Sequence, residues 1–161
     1  MTLNATHPGA FIGGHWHNGQ GPHFSSLDPA TEKPVWAGRE ASPEQVGQAV
    51  TSARAAFQEW ARTPLARRIE IAKAFEVLLG EQADVIAETI CRETGKAYWE
   101  GRGEAAAMKG KIAISIAALQ ERAGDRSSET AFGHASLTHR PHGVMAVLGP
   151  FNFPGHLPNG H

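Results

Sequence analysis

Val144-Met145-Ala146-Val147-Leu148-Gly149-Pro150-Phe151-Asn152-Phe153-Pro154 is the stretch on which the fold turns. Its continuous apolar run, Val144 to Leu148, has the pattern of a strand buried on both faces of a parallel sheet. A buried strand that opens at once into a Gly/Pro-rich loop is where open α/β sheets bind ligands, at the strand's carboxyl end. The expected class is therefore α/β. A parallel strand also needs a neighbour and a crossover element to reach it, yet the sequence stops at His161. Two readings stay open. Either the strand pairs with N-terminal strands in a small mixed sheet, or the sequence is truncated, which its abrupt end favours.

Within that loop Asn152 is the residue with chemistry to offer. Its amide N–H₂ donates hydrogen bonds and stays neutral at any working pH. It lies between two aromatic residues and ahead of Pro154, which restricts the backbone before it. That setting reads as rigid, apolar and partly dry. A donor so placed can stabilise a developing oxyanion, an effect of about 2.7–4 kcal/mol in barrier height. An asparagine satisfying a turn through its own backbone is an equally good reading.

Upstream, the chain divides by texture. Residues 1–41 read as strands and turns: Phe11-Ile12 and His15-Trp16 flank Gly13-Gly14, a hairpin signal. Asp28-Pro29-Ala30-Thr31 reads as a turn, and Pro34 to Gly38 as another strand. Residues 42–124 read as helices. Ser42-Pro43-Glu44-Gln45 is a capping box with proline at the first helical position. Val46, Ala49, Val50, Ala53, Phe57 and Trp60 follow at helical spacing as one apolar stripe. Thr63-Pro64 restarts the pattern, with Ile69, Ala72, Phe75, Leu78 and Leu79 as its stripe and Gly80 as a break. A third segment carries Val85, Ile86 and Ile90 and stops at Thr94-Gly95. A fourth runs from Tyr98 to Arg122, with Ile112, Ile116 and Leu119 on its buried side. Residues 125–143 contain an extended segment, Ser136 to His139, and a bend at Pro141-His142-Gly143, before the stretch 144–161.

Composition excludes several functions. Apolar residues make up 41% and charged residues 19% of the 161, ordinary for a globular protein. A net charge of −1 gives no electrostatic footprint for nucleic acid or an anionic membrane. No apolar run approaches the about 18 residues of a transmembrane helix. Met1-Thr2-Leu3-Asn4 lacks the basic start and apolar core of a secretion signal, so the expected location is the cytoplasm. The single cysteine, Cys91, lies in an amphipathic segment without a glycine-rich turn or a histidine nearby. It reads as a small hydrophobe, not a nucleophile. Gly101-Arg102-Gly103-Glu104-Ala105-Ala106 matches a dinucleotide fingerprint formally, but no buried strand precedes it and Glu104 would face a pyrophosphate. Close helix approach is the better explanation of its small residues. The histidines, including His139, His142, His156 and His161, lack the spacing and the partners of a zinc site, so no metal is expected.

Taken together, Phe11-Ile12-Gly13-Gly14-His15-Trp16, Asp28-Pro29-Ala30-Thr31, Arg92-Glu93-Thr94-Gly95-Lys96, Pro141-His142-Gly143-Val144 and Gly149-Pro150-Phe151-Asn152-Phe153-Pro154 resemble, in order and spacing, the aldehyde dehydrogenase superfamily. Phe153-Pro154-Gly155-His156-Leu157-Pro158-Asn159-Gly160-His161, with Lys111-Ile112-Ala113-Ile114-Ser115 upstream, is most similar to its succinylglutamate semialdehyde dehydrogenases of arginine catabolism.

The resemblance implies an incomplete aldehyde dehydrogenase fold: N-terminal strands, a helical segment, an assembly strand, and the first strand of the Rossmann-like cofactor domain. It implies a small-molecule aldehyde substrate, NAD as cofactor, and a homo-oligomer at full length. It assigns Asn152 to the oxyanion hole and Gly149, Pro150 and Phe151 to the cofactor site beside the nicotinamide ribose. In the family a cysteine thiolate attacks the aldehyde, hydride passes to the cofactor, and a glutamate activates water to release the carboxylate. The motifs of that cysteine, that glutamate and the main cofactor glycines match nothing in this sequence, so the resemblance implies a fragment inactive alone. The alternative is a short non-catalytic module that docks onto full-length subunits through an exposed strand edge.

Overall fold

The structure, a computed structural model, describes residues 9–160. The opening Met1-Thr2-Leu3-Asn4 and the final His161 lie outside the described residues. The first two strands, β1 (Gly9–Ile12) and β2 (His15–Asn18), form an antiparallel hairpin in which Phe11 faces Trp16. Gly13 and Gly14 turn it at φ of 60° and 85°, values that glycine adopts without a steric cost. A second antiparallel pair joins β3 (His23–Leu27) to β4 (Pro34–Arg39). The turn between them is built by Asp28, whose Oδ1 accepts from the N–H groups of Ala30 and Thr31. Those N–H groups, that of Ala30 foremost, hold the Asp28 carboxyl below its ordinary range.

Four helices follow: α1 (Pro43–Trp60), α2 (Leu65–Glu81), α3 (Ala83–Thr94) and α4 (Tyr98–Arg122). The Ser42 cap is formed as the sequence predicts, with Ser42 Oγ accepting from Gln45 N at 3.3 Å and Gln45 Oε1 accepting from Ser42 N at 3.0 Å. Gln45 does more than close the box. Its Oε1 also accepts from Gln20 N, and its Nε2 donates to Asn18 O, so one buried amide fastens the start of α1 to the end of β2. Gly95 ends α3 in the left-handed conformation, φ 74°.

Two helix boundaries differ from the sequence reading. Thr63 does not cap α2: its hydroxyl bonds back to Glu59 O at 3.0 Å, closing α1 instead, and Pro64 precedes α2 without a side-chain cap. Nor does Gly80 break the chain. It stays helical, and the interruption comes at Gln82. Gly80 lies beside the side chain of Lys109 on α4, at a distance that would also admit a Cβ.

The core lies between α2, α3 and α4, where Leu79, Ala87, Ile90, Ala105 and Ile112 are buried. The α3–α4 seam is tight because Gly101 presents no side chain: a Cβ there would overlap Cys91 Sγ and stand 2.8 Å from Ala87 O. This accounts for Gly101 and for the buried Ala105, near the start of α4, whereas Gly103 and Ala106 are exposed. The stripes of α1 and α2 are less covered, with Val46, Val50, Trp60, Phe75 and Leu78 all exposed.

After α4, β5 (Arg126–Thr130) and β6 (Gly133–Leu137) form an exposed antiparallel hairpin. Of the extended segment expected at Ser136 to His139, Ser136 and Leu137 are the end of β6, with β5 as partner, and Thr138 and His139 lie beyond the strand. Val144 to Leu148 does not form a strand, contrary to expectation. It is irregular and exposed, Leu148 at 95%. Strand geometry is stabilised by a neighbour's hydrogen bonds, and among the described residues no strand lies beside this segment. Among the described residues the mixed sheet considered above is likewise not formed: the strands pair as three separate two-stranded sheets. A short helix, α5 (His156–Asn159), ends the described chain and packs on α4.

Candidate functional site

The loop that carries Asn152 enters α5 through Pro154 and Gly155. Gly155 sits hard against the α3–α4 pair: a Cβ there would stand 2.6 Å from Met108 Sδ and 3.3 Å from Ile90 Cδ1. That proximity brings two backbone donors to a carboxylate. Gly155 N and His156 N donate to Glu104 Oε1 at 2.9 and 3.1 Å. The other oxygen, Oε2, accepts from Lys96 Nζ at 2.7 Å. Lys96 Nζ also stands 4.0 Å from the centroid of the Phe153 ring, within cation–π range. At the far end of α5, Asn159 Nδ2 donates to Met108 O at 2.9 Å.

Glu104 is the most deeply buried charge in this cluster, its side chain 1% exposed, against 17% for Lys96. Burial by itself pushes a carboxyl up. Here the Lys96 ammonium and the N–H groups of His156 and Gly155 outweigh burial and hold Glu104 below its ordinary 4.5, as the anion. Neither Lys96 nor Glu104 stood out as functional in the sequence. The available signal was a glutamate on the same helical face as Gly101 and Ala105, where a charge has to find partners.

The residues singled out in sequence lie together in one turn. Asn152 is exposed, flanked by Phe151 at 91% and Phe153 at 42% exposure, so its setting is open and not partly dry. Its side-chain amide makes no hydrogen bond among the described residues, so it does not serve to satisfy the turn. Gly149 packs against Pro158 of α5, where a Cβ would overlap the proline ring. Pro150 is half-buried and Phe151 points to solvent. These three residues present a neutral wall, a lining chemically compatible with the uncharged end of a nicotinamide nucleotide. They do not fit its phosphates, which require convergent N–H donors or cations.

Cys91 is not at this site. Its thiol lies in the α3–α4 seam and donates to Ala97 O at 3.5 Å.

Residues 16–161 match the sequence model of the aldehyde dehydrogenase family. The chain belongs to the aldehyde dehydrogenase family. It is 53% identical over 152 residues to an N-succinylglutamate 5-semialdehyde dehydrogenase of Hahella chejuensis, a match covering 94% of this chain and 31% of that one. To the protein of the same name in Burkholderia mallei it is 54% identical over 151 residues, again 94% of this chain and 31% of the relative. The chain thus spans about a third of the length of the curated relatives it matches.

Solved aldehyde dehydrogenase structures have the same arrangement. A putative methylmalonate-semialdehyde dehydrogenase from Sinorhizobium meliloti, complexed with NAD, superposes with a TM-score of 0.85 at 29% identity, covering 94% of this chain and 31% of that one. An NADP-dependent glyceraldehyde-3-phosphate dehydrogenase from Bacillus halodurans, complexed with NADP, gives 0.85 at 24% identity, over 92% and 33%, and supports the fold alone. The hairpins and helices described above are therefore part of an aldehyde dehydrogenase fold. The motif Asp28-Pro29 and the motif ending Gly95-Lys96 meet within it, since a Cβ on Gly95 would stand 2.9 Å from Pro29 Cγ.

Proposed function

We propose that this chain forms part of an NAD-dependent enzyme that oxidises N-succinylglutamate 5-semialdehyde to N-succinylglutamate in arginine catabolism. Its identity to relatives of that name, over 94% of its length, is the observation that carries the reading. In this role Asn152 donates a hydrogen bond to the aldehyde oxygen as negative charge develops there. The free, exposed amide supports that assignment. Gly149, Pro150 and Phe151 form the wall beside the nicotinamide ribose. NAD, when bound, supplies the hydride acceptor. The segments 42–124 and 144–161 contribute to the cofactor domain, and residues 125–143, with the β5–β6 hairpin, to subunit assembly in a homo-oligomer.

Nucleophilic attack needs a thiolate, and the chain's single cysteine is the seam residue Cys91. The purified chain is accordingly expected to form no NADH from N-succinylglutamate 5-semialdehyde. Turnover that vanishes in a Cys91→Ala variant would overturn this.

The substrate assignment is tested in a chimera, with this chain replacing the matched segment of the Hahella chejuensis relative. The chimera should reduce NAD with N-succinylglutamate 5-semialdehyde. Asn152→Ala should lower its kcat by roughly 10²–10³-fold, the usual effect of losing one oxyanion donor. Preference for an unrelated aldehyde would sink the substrate reading, and full activity in Asn152→Ala the oxyanion reading.

A further inference from the structure

The position of Asn152 depends on its flanks, because its own side chain bonds to nothing among the described residues. On one side, the backbone from Val144 to Leu148 is irregular and exposed, and gives no support. The support at Gly149 is Pro158, itself a residue of α5. On the other side, Phe153 lies under Lys96 Nζ, and the amides of Gly155 and His156 are held by Glu104. Both flanks of Asn152 therefore refer back to α5, and the Glu104 carboxylate holds α5 at its first turn. Pro154, with φ fixed by its ring, makes the link from that anchor back toward Asn152 a stiff one.

We propose that Glu104 and Lys96 are positioning residues for Asn152: the carboxylate fixes the backbone two residues beyond Phe153, and the ammonium it holds covers the Phe153 ring. The inference rests on Asn152 being the oxyanion donor. Neither residue touches the reacting atoms. Their contribution is preorganisation, since a donor acts fully only when it is already aimed at the charge that develops. Charge-assisted hydrogen bonds suit this purpose because they are shorter and about twice as strong as neutral ones. Lys96 does two jobs with one group. It neutralises a buried anion, which would otherwise be costly, and it lays a cation on the aromatic next to Asn152.

The test uses the ¹⁵N-labelled chain and two readouts: amide exchange at Gly155 and His156, and the backbone order parameter at Asn152. Glu104→Gln retains an oxygen acceptor but loses the ion pair, so protection at both amides should fall roughly tenfold. Lys96→Met should do the same, and Lys96→Arg should restore most of the protection. The order parameter at Asn152 should drop from about 0.85 toward 0.6 or below in Glu104→Gln and Lys96→Met. Ile90 and Ile112 report on α3 and α4, and their amides should keep their protection. A general loss of stability would not leave them intact. Should Glu104→Ala fail to fold, these milder variants decide the matter.

Wild-type exchange and order in Glu104→Gln and Lys96→Met would overturn the proposal, as would a uniform loss of protection along α3 and α4. In the chimera, Glu104→Gln should lower kcat about tenfold through a misplaced donor, and Lys96→Arg should be close to wild type. Asn152→Ala in the same chimera reports on the oxyanion role alone. If it is fully active while the exchange results hold, the oxyanion reading fails, and with it the catalytic meaning of a clamp that still exists.

Discussion

Of the two stretches on either side of Asn152, the far more apolar one is the one left unanchored. Residues 144–151 hold Val144, Met145, Val147, Leu148 and Phe151, all exposed. Residues 153–160 hold Phe153, Leu157 and two prolines, yet their backbone is fastened to α4 at both ends of α5. Hydrophobicity does not explain the difference. The second stretch meets a carboxylate, a carbonyl and a cation suited to its donors and its ring. The first has backbone N–H and C=O groups with no strand beside them. A segment settles where its polar backbone is satisfied, and apolar side chains alone do not supply that.

The most severe way to break this contrast is Glu104→Ala. It leaves the largely buried Lys96 without its anion and two amides without their acceptor. Removing one partner of a buried ion pair costs about 3–5 kcal/mol. Urea denaturation should show a loss of that size, together with faster proteolysis between residues 152 and 160. An unchanged midpoint would mean that α5 is held by its apolar contacts after all.

Smaller is the effect of Gly155→Ala. The new methyl would press on Met108 Sδ and Ile90 Cδ1, at 2.6 and 3.3 Å. Overpacking of this kind costs roughly 1–3 kcal/mol. Because Met108 is flexible, Met108→Ala in the same chain should recover part of the loss, and thermal melts of the two variants and their combination would measure the coupling. Strict additivity would show that the loss at Gly155 does not come from its contact with Met108.

Acid should loosen the second stretch through Glu104. The Glu104 carboxyl is held below 4.5 in the folded chain, so its contribution is present above that value and lost as the pH falls through the lower folded one. Amide exchange at Gly155 and His156 should quicken over that window. Asp28 and Glu44 are also held low, so global stability will fall there too. The comparison that matters is with Glu104→Gln, in which the local acid response should be flat.

Much of this architecture was legible in the sequence because it is encoded locally. The Ser42 box, the Gly13-Gly14 hairpin, the Asp28 turn, the Gly95 cap and the span of α4 each depend on residues within a few positions. What was missed depends on distance. Gln45 reaches Asn18, and Glu104 reaches Gly155, across 27 and 51 residues. No periodicity announces such a meeting. In the sequence Glu104 argues only against a phosphate site, and its own partners lie beyond the reach of spacing rules. Val144 to Leu148 shows the opposite error. A pattern suited to a buried strand was read as a strand, although a pattern states only what a segment could form with a partner.

The smallest expected effect sharpens that last point. Leu148→Ser replaces a large apolar side chain in the stretch with the most strand-like pattern, yet Leu148 is 95% exposed. A substitution at such a site should change stability by no more than about 0.5 kcal/mol. Ile90→Ala, in the seam that supports Gly155, should cost about 2–5 kcal/mol by comparison. If Leu148→Ser instead proved costly in the isolated chain, residues 144–148 would have to bury against something in solution, such as a second copy. Sedimentation of the wild type and the variant would decide between those cases. A monomer in both, with equal stability, would mean that residues 144–148 bury against nothing in solution, as their exposure indicates.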